Sequence, residues 1–427
     1  MTFDRHLAGI EERIEHLWPA ARLARLQRLG RLAADAGAAL YLVGGVPRDL
    51  FLNRPSNDWD LTLVGDFEGF LQRLLEQGFR VEKRSAFATA TLRDPENLPW
   101  ELALCRAERY PRPGALPEIS PAPAIDIDLR RRDFRCNAMA LSLRPEDFLR
   151  LVDPFHGRDD IHAGILEILH PESFRDDPTR LLRGLRFSLR FGFRLGPLAQ
   201  AQRQGLLAAD GFATLSGTRL FRELWLLLQL PDLAASVSAL RAWGLAALLP
   251  GAHLPTEFVV AKLRRLAAVM QQFRQNLPEE PPEQPAVALL LLSALGTAAE
   301  RATHWQRWQW RGVADWQRAL DALPAKLPPQ SDAASHARYW QDWSVAGILC
   351  ALALQDDPEL QRSAWQYLQV QRRQKTPVDG RDLQAWGVAP GPGLGALLAR
   401  VQDATWNGVI TNKDEAWRWL KEQNLLP

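Results

Sequence analysis

Two aspartates separated by one residue, Asp58 and Asp60, follow Arg48 by ten and twelve positions, and Arg48 itself follows the pair Gly44-Gly45. On a strand, residues i and i+2 share a face. Asp58 and Asp60 would then present a hard-oxygen site suited to Mg²⁺. A Gly-Gly turn lets backbone approach a bulky anion, and its amides can donate to phosphate. Arg48 adds a planar charged donor beside it. A lone Asp-x-Asp is common in surface loops; its order and spacing after Gly-Gly and Arg-Asp are far more specific. Phosphoryl transfer on two metal ions needs further ligands, and Glu101, in the apolar run ELALC, is the candidate third carboxylate. Buried and unpaired, such a carboxylate is costly unless a metal holds it; otherwise it is a strand-edge glutamate in water.

Two further segments are dense in polar groups. In DLRRRDFRCNAMAL, Arg131, Arg132, Asp133 and Asn137 crowd against an apolar stretch. Arginine there can hold a triphosphate and aspartate can accept from ribose hydroxyls; a structural ion-pair cluster is the plainer alternative. In RDDPTRLLRGLRF, Pro178 suits a first helical position and the preceding acids suit a helix N-terminus. Asp177 and Arg180, three apart, would be neighbours on one helix face. Together they offer an acceptor and a bidentate donor for a base edge. Arg183 and Arg186 continue the spacing, but each step of three drifts by about 60°. All four cannot read one base, so the later arginines are expected to meet phosphate or the sheet domain.

The elements that must carry these residues can be read from periodicity. Residues 1–38 read as helix, with Leu23, Leu26, Leu29 and Leu32 at helical spacing. ALYLVGG reads as a buried strand ending in a glycine turn, PRDLFLN as a helical turn, and DWDLTLVG as a second strand. FEGFLQRLLEQGF is an amphipathic helix, and ATATLRD and WELALCRAE are strands. From Pro171 the chain reads as helix, including SFRDDPTRLLRGLRFSLRFGF and SGTRLFRELWLLLQL, with PEEPPEQP as linker. The mixed pattern up to about Leu151 gives one α/β or α+β domain, followed by helices.

Composition sets bounds. The 427 residues exceed one compact core. The net charge of +2 does not by itself mark a nucleic-acid binder, although Arg-dense segments can form local anionic sites. Three widely spaced cysteines argue against disulfides or a zinc ribbon and suit a reducing cytoplasm. No apolar run reaches membrane-spanning length, and the N-terminus is a poor signal peptide. Of 16 tryptophans, 11 lie from Trp305 onward, as stacking surfaces for RNA or as helix packing.

Taken together, the motifs resemble those of the bacterial class II tRNA nucleotidyltransferase and poly(A) polymerase family. GGVPRD is similar to its GGxVRD, NDWDL to its DxDL metal motif, and DLRRRDFRCNAMA to its RRDFTxNA. ERYPRPGALPEI resembles the flexible-loop region, RDDPTRLLRGLRF the EDxxR motif, and SGTRLFREL the following SxERIxxEL. The tail segments VDGRDLQAWGVAPGPGLGALL and GVITNKDEA also match. Departures are Pro47, Arg135, Cys136, Asp176 and Thr218; they leave the metal motif intact and bear on nucleotide choice.

The resemblance implies an α+β chain: a polymerase β-like, mixed-sheet nucleotidyltransferase head over 1–153, a helical neck with base recognition over 154–230, a helical body over 231–375 and a helical, tRNA-binding tail over 376–427. It implies Mg²⁺ on Asp58 and Asp60 with Glu101, triphosphate on Gly44, Gly45, Arg48 and Arg132, ribose on Asp133, with Asn137 in the same motif. Asp177 and Arg180 would pair with the base of CTP or ATP, and Arg183 and Arg186 would assist phosphate binding. The implied function is template-independent addition of CMP and AMP to the tRNA 3′ end in the cytoplasm, without a membrane. Addition of A alone, of CC alone, of a poly(A) tail, or RNA binding without catalysis are the alternatives. The long segment between Glu101 and Asp128 speaks against CC alone, because a shortened loop accompanies that activity in the family.

Overall fold

The computed structural model describes residues 8–56, 59–85, 87–277, 282–309, 313–322 and 332–427. Asp58, Trp310 and part of the PEEPPEQP segment lie outside the described residues. The chain divides into two compact units between Glu223 and Leu224.

In the first unit, α1 (Ala8–Leu17) and α2 (Ala20–Ala34) precede β1 (Ala39–Val43). Of the four leucines at helical spacing, Leu26 and Leu29 are buried in α2 together with Ala33, while Leu23 and Leu32 are half-buried at the margin of that face. The short helix α3 (Gly45–Phe51) leads to β2 (Asp60–Val64), then α4 (Phe67–Glu76). α4 buries Phe67, Phe70, Leu71 and Leu74, and Asp66 caps it by accepting from the Glu68 amide. Strands β3 (Arg80–Ser85), β4 (Thr89–Arg93) and β5 (Pro99–Leu104) follow. Next come β6 (Arg106–Arg109), β7 (Glu118–Pro121), α5 (Ile125–Arg130), β8 (Ala140–Ser142) and β9 (Leu151–Val152).

Seven strands form one mixed sheet in the order β3-β4-β5-β2-β1-β8-β9, while β6 and β7 make a separate hairpin. β1 runs antiparallel to β2 and β8; β2 runs parallel to β5 in a register that sets Asp60 beside Glu101. β1 and β2 lie inside the sheet, which explains why their sequences are so apolar: Leu40, Leu42, Leu61 and Leu63 are all buried.

Helices α6 (Gly157–Ala163), α7 (Ser173–Asp176), α8 (Thr179–Phe191), α9 (Pro197–Ala208) and α10 (Gly217–Leu228) follow the sheet. The continuous helix expected across SFRDDPTRLLRG is broken. Asp177 is extended, at φ −137° and ψ 96°, because the Pro178 ring excludes the α conformation from the residue before it. α8 ends at Gly192, in the left-handed region.

The described part of the second unit is helical from Leu224 onward. The helix Gln284–Leu295 is buried on nearly all sides, with Val287 through Leu292 inaccessible. Trp305, Trp308, Trp316 and Trp340 are core residues rather than exposed stacking platforms. Two of them satisfy their indole N–H internally, Trp305 to Ser293 Oγ at 3.1 Å and Trp340 to Ser363 Oγ at 2.7 Å. The last part has its own core, from Val378 and Leu383 through Ile410 to Leu420. Among the described residues no helix is long and apolar enough to cross a membrane.

Candidate active site

Gly44 ends β1 at φ +75°, a conformation costly for any residue with a Cβ. A Cβ there would stand 2.9 Å from Asp60 Oδ2 and 3.5 Å from Arg132 Nη1. The missing side chain therefore brings turn, carboxylate and guanidinium together. Asp60 is oriented by its neighbour. Trp59 is buried, edge-on to Trp18 at 4.9 Å and to Trp100 at 6.2 Å, with Arg22 stacked 4.6 Å above its ring. Adjacent side chains on extended backbone point oppositely, so this peg turns Asp60 to the Gly44 side.

These residues open onto a cavity of about 340 Å³, formed wholly within the first unit. Gly44, Gly45, Arg48, Asp60, Arg132, Asp133, Asn137, Asp177, Arg180 and Arg183 all line it, although they come from four separate stretches of sequence. The structure does not bring Glu101 or Arg186 into that wall. Glu101 is exposed and accepts from Thr91 Oγ1 at 2.8 Å, so the burial expected for it from ELALC is not seen. Its face of β5 is open to solvent, whereas Trp100 and Leu102 turn inward.

Buried polar groups hold the wall in place. Arg48 donates to Asp49 Oδ1 and, through Nη1, to Asn137 Oδ1 at 2.8 Å; Phe191 lies 4.7 Å beneath its guanidinium. Asn137 donates to Asp133 Oδ1 at 2.9 Å, and Arg183 reaches Asp133 Oδ2 through Nε and Nη2 at 2.8 and 2.7 Å. Burial pushes the Asp133 carboxyl up, but the Arg183 charge and the Asn137 amide outweigh it and hold the pKa at about 2. Arg183 thus ties α8 to the sheet-side motif rather than standing free. Arg186 turns to Glu223, 3.1 Å away, where burial weakens both charges: Glu223 is shifted up and Arg186 down.

Asp128 is inaccessible and takes Arg131 on Oδ1 at 2.8 Å and Arg132 on Oδ2 at 3.0 Å. Burial, the largest single cause, raises its carboxyl, but the two charges and their hydrogen bonds together hold it below the ordinary range. Arg132 keeps a buried Nε without a hydrogen-bond partner, an unused donor in a wall built to meet an anion. Arg180 is buried. It donates to Ser173 Oγ and to the Arg131 carbonyl, both at 2.7 Å, and to Tyr110 Oη at 3.3 Å. Asp177 Oδ1 accepts from the Thr179 amide and hydroxyl and from Arg219 Nη2. The two are not neighbours on one helix face, because Asp177 precedes the helix; they meet as two walls of one cavity. Glu108, Tyr110, Thr179, Phe187 and Glu223 also line it, and sequence reasoning did not single them out. The i, i+2 spacing of Glu108 in β6 and Tyr110 just beyond it is the signal that could have placed them on one face.

A glycine turn and a carboxylate strand on a mixed sheet, opening into an arginine-lined cavity, define the nucleotidyltransferase class. The chain belongs to the tRNA nucleotidyltransferase family. The Poly A polymerase head domain matches residues 40–167, and tRNA nucleotidyltransferase domain 2 matches residues 344–419. The chain is 33% identical to the A-adding tRNA nucleotidyltransferase of Halalkalibacterium halodurans, over 98% of this chain and 96% of that protein. It is 31% identical to the CC-adding tRNA nucleotidyltransferase of Deinococcus radiodurans, over 94% of each. The fold is shared with a CCA-adding enzyme in its apo form at TM-score 0.83 and 23% identity, covering 97% of this chain and 98% of that one. Enzymes of this family use a divalent metal ion, and the Gly44–Asp60 cradle, which a Cβ would fill, fits one.

Proposed function

We propose that this enzyme adds CMP and AMP to the 3′ end of tRNA from CTP and ATP, in the cytoplasm and without a nucleic-acid template. One observation carries the reading: Gly44, Asp60 and Arg132 share a single cavity with Asp177 and Arg180. A triphosphate fits the arginine and glycine side, and a base edge the Asp177 and Arg180 side. The ion is Mg²⁺, held by Asp60 with Asp58, two residues before it; Glu101 pairs with Asp60 across the strands but stands outside the cavity wall. When bound, it would lower the pKa of the RNA 3′-hydroxyl and neutralise charge on the phosphates. Arg132 and Arg48 orient the triphosphate, Asp133 and Asn137 set the ribose side, and Arg183 and Arg186 brace them. The head extends over 1–153, the neck over 154–230, the body over 231–375 and a tRNA-binding tail over 376–427.

The A-adding relative at 33% identity favours a second reading, addition of the terminal A alone. Incubation with tRNA ending in N, NC and NCC, each with CTP or ATP alone, separates the two. Full synthesis requires CMP on N and NC and AMP on NCC. Terminal addition requires AMP on NCC with no CMP on N. Incorporation on none of them ends the proposal.

A further inference from the structure

Asp177 is placed by the first residue of α8 together with an arginine far along the chain. Its Oδ1 is saturated by three donors, the Thr179 amide at 3.0 Å, the Thr179 hydroxyl at 2.6 Å and Arg219 Nη2 at 2.8 Å. Oδ2 is thereby left as the acceptor for a ligand in the cavity that Asp177 lines. The second nitrogen of the same guanidinium, Arg219 Nη1, donates to the Gly114 carbonyl at 2.9 Å. Gly114 lies in the turn joining β6 to β7, and its own amide donates to the Asp176 carbonyl at 3.1 Å. The turn is pressed onto the residues before α10. Gly114 has φ +69°, and a Cβ there would meet Thr214 Oγ1 at 2.5 Å and the Thr214 carbonyl oxygen at 2.9 Å. The same hairpin carries Tyr110, whose hydroxyl accepts from Arg180. Both members of the pair assigned to the base are therefore linked to one hairpin, Arg180 directly through Tyr110 and Asp177 through the Arg219 bridge.

We propose that Arg219 is a positioning residue for nucleotide selection, tying the docked turn at Gly114 to the Asp177 carboxylate. The inference rests on the reading that Asp177 and Arg180 meet the base. A planar guanidinium can serve two acceptors at fixed geometry, and a lysine in its place supplies a point charge for one. Gly114 belongs to the same device from the other side, since only a residue without Cβ lets the turn close on Thr214.

The test is the ratio of kcat/KM for ATP to that for CTP, measured on tRNA ending in N, NC and NCC, with thermal melting of each variant alongside. Arg219→Ala should shift the ratio by about tenfold, the size set by loss of a hydrogen bond to a charged group. Gly114→Ala should shift it in the same direction, and Arg219→Lys should fall between wild type and Arg219→Ala. The double variant Arg219→Ala with Gly114→Ala should be no worse than the larger single effect, because both break one link. Should Arg219→Ala fail to fold, Arg219→Lys and Gly114→Ala carry the same comparison. A wild-type ratio in Arg219→Ala or Gly114→Ala, while Asp177→Ala shifts it, overturns the coupling and leaves the base-contact reading standing. Multiplying effects in the double variant also overturn it. A wild-type ratio in Asp177→Ala overturns the base-contact reading and the coupling with it.

Discussion

The two units solve the problem of an interior in opposite ways. Among the described residues the first unit buries eight charged side chains, Arg48, Asp49, Asp94, Asp128, Asp133, Glu167, Arg180 and Glu223. Among its described residues the second buries no Asp, Glu, Lys or Arg; its buried polar groups are Ser236, Ser293, His304, Ser363, Gln371 and Thr405. Burying a charge is expensive unless it is paired, and the first unit supplies the pairs. Asp94 takes Arg25, the Trp100 indole and the Glu96 and Leu98 amides, and Glu167 accepts from the amides of Ile168, Leu198 and Ala199. Five of the eight, Arg48, Asp133, Arg180 and Glu223 directly and Asp128 through Arg132, build the cavity. Charge is kept inside where it must present arginines and carboxylates to a ligand, and leucine and tryptophan fill the interior where it need not.

The sharpest way to break this contrast is at the cavity. Asp60→Ala should lower nucleotide transfer by about 10³-fold or more, the equivalent of several kcal/mol of lost charge stabilisation, with the melting temperature nearly unchanged. Labelled nucleotide incorporation and circular dichroism measure the two. Asp128→Ala should act on the fold, destabilising the first unit by about 3–5 kcal/mol, since it strands the Arg132 charge and leaves Arg131 only Glu108; urea unfolding reads this. In the second unit, Leu290→Ala should cost about 2–5 kcal/mol from an apolar cavity, and calorimetric titration should find ATP binding intact.

The smallest effect concerns Asp160. Burial is the largest cause raising its pKa to about 6, with Glu167, Asp153 and Asp159 adding repulsion and Arg135 opposing, and its Oδ2 is buried without a hydrogen-bond partner. A carboxyl raised in the folded state contributes stability fully present below its unfolded value of about 3.9, lost as pH rises through about 6. Asp160→Asn should therefore melt above wild type at pH 8 and lose that advantage at pH 4.

Sequence reading succeeded where the cause was local. ALYLV and DLTLV are apolar because they are interior strands, Gly44 is glycine because its φ is positive, and Leu26 and Leu29, two of the four spaced leucines, mark the buried helix face. The polar segments were visible as chemistry, but their partners were not. Arg183 was expected to meet phosphate or the sheet domain, and it holds Asp133, 50 residues earlier in the chain. Arg219 reaches back 42 residues to Asp177 and 105 to Gly114, a link no periodicity contains. The helical pairing of Asp177 with Arg180 assumed an unbroken helix, and Pro178 prevents one. Glu101 was placed in a buried setting because its neighbours are apolar, yet it occupies the open face of its strand.

The most direct measurement is a crystal structure of the enzyme with a non-hydrolysable CTP or ATP analogue and Mg²⁺. The account predicts the triphosphate between Gly44 and Arg132, the metal against Asp60, and the base edge within hydrogen-bond distance of Asp177 and Arg180. A nucleotide seated elsewhere, or one whose base touches neither side chain, would contradict it.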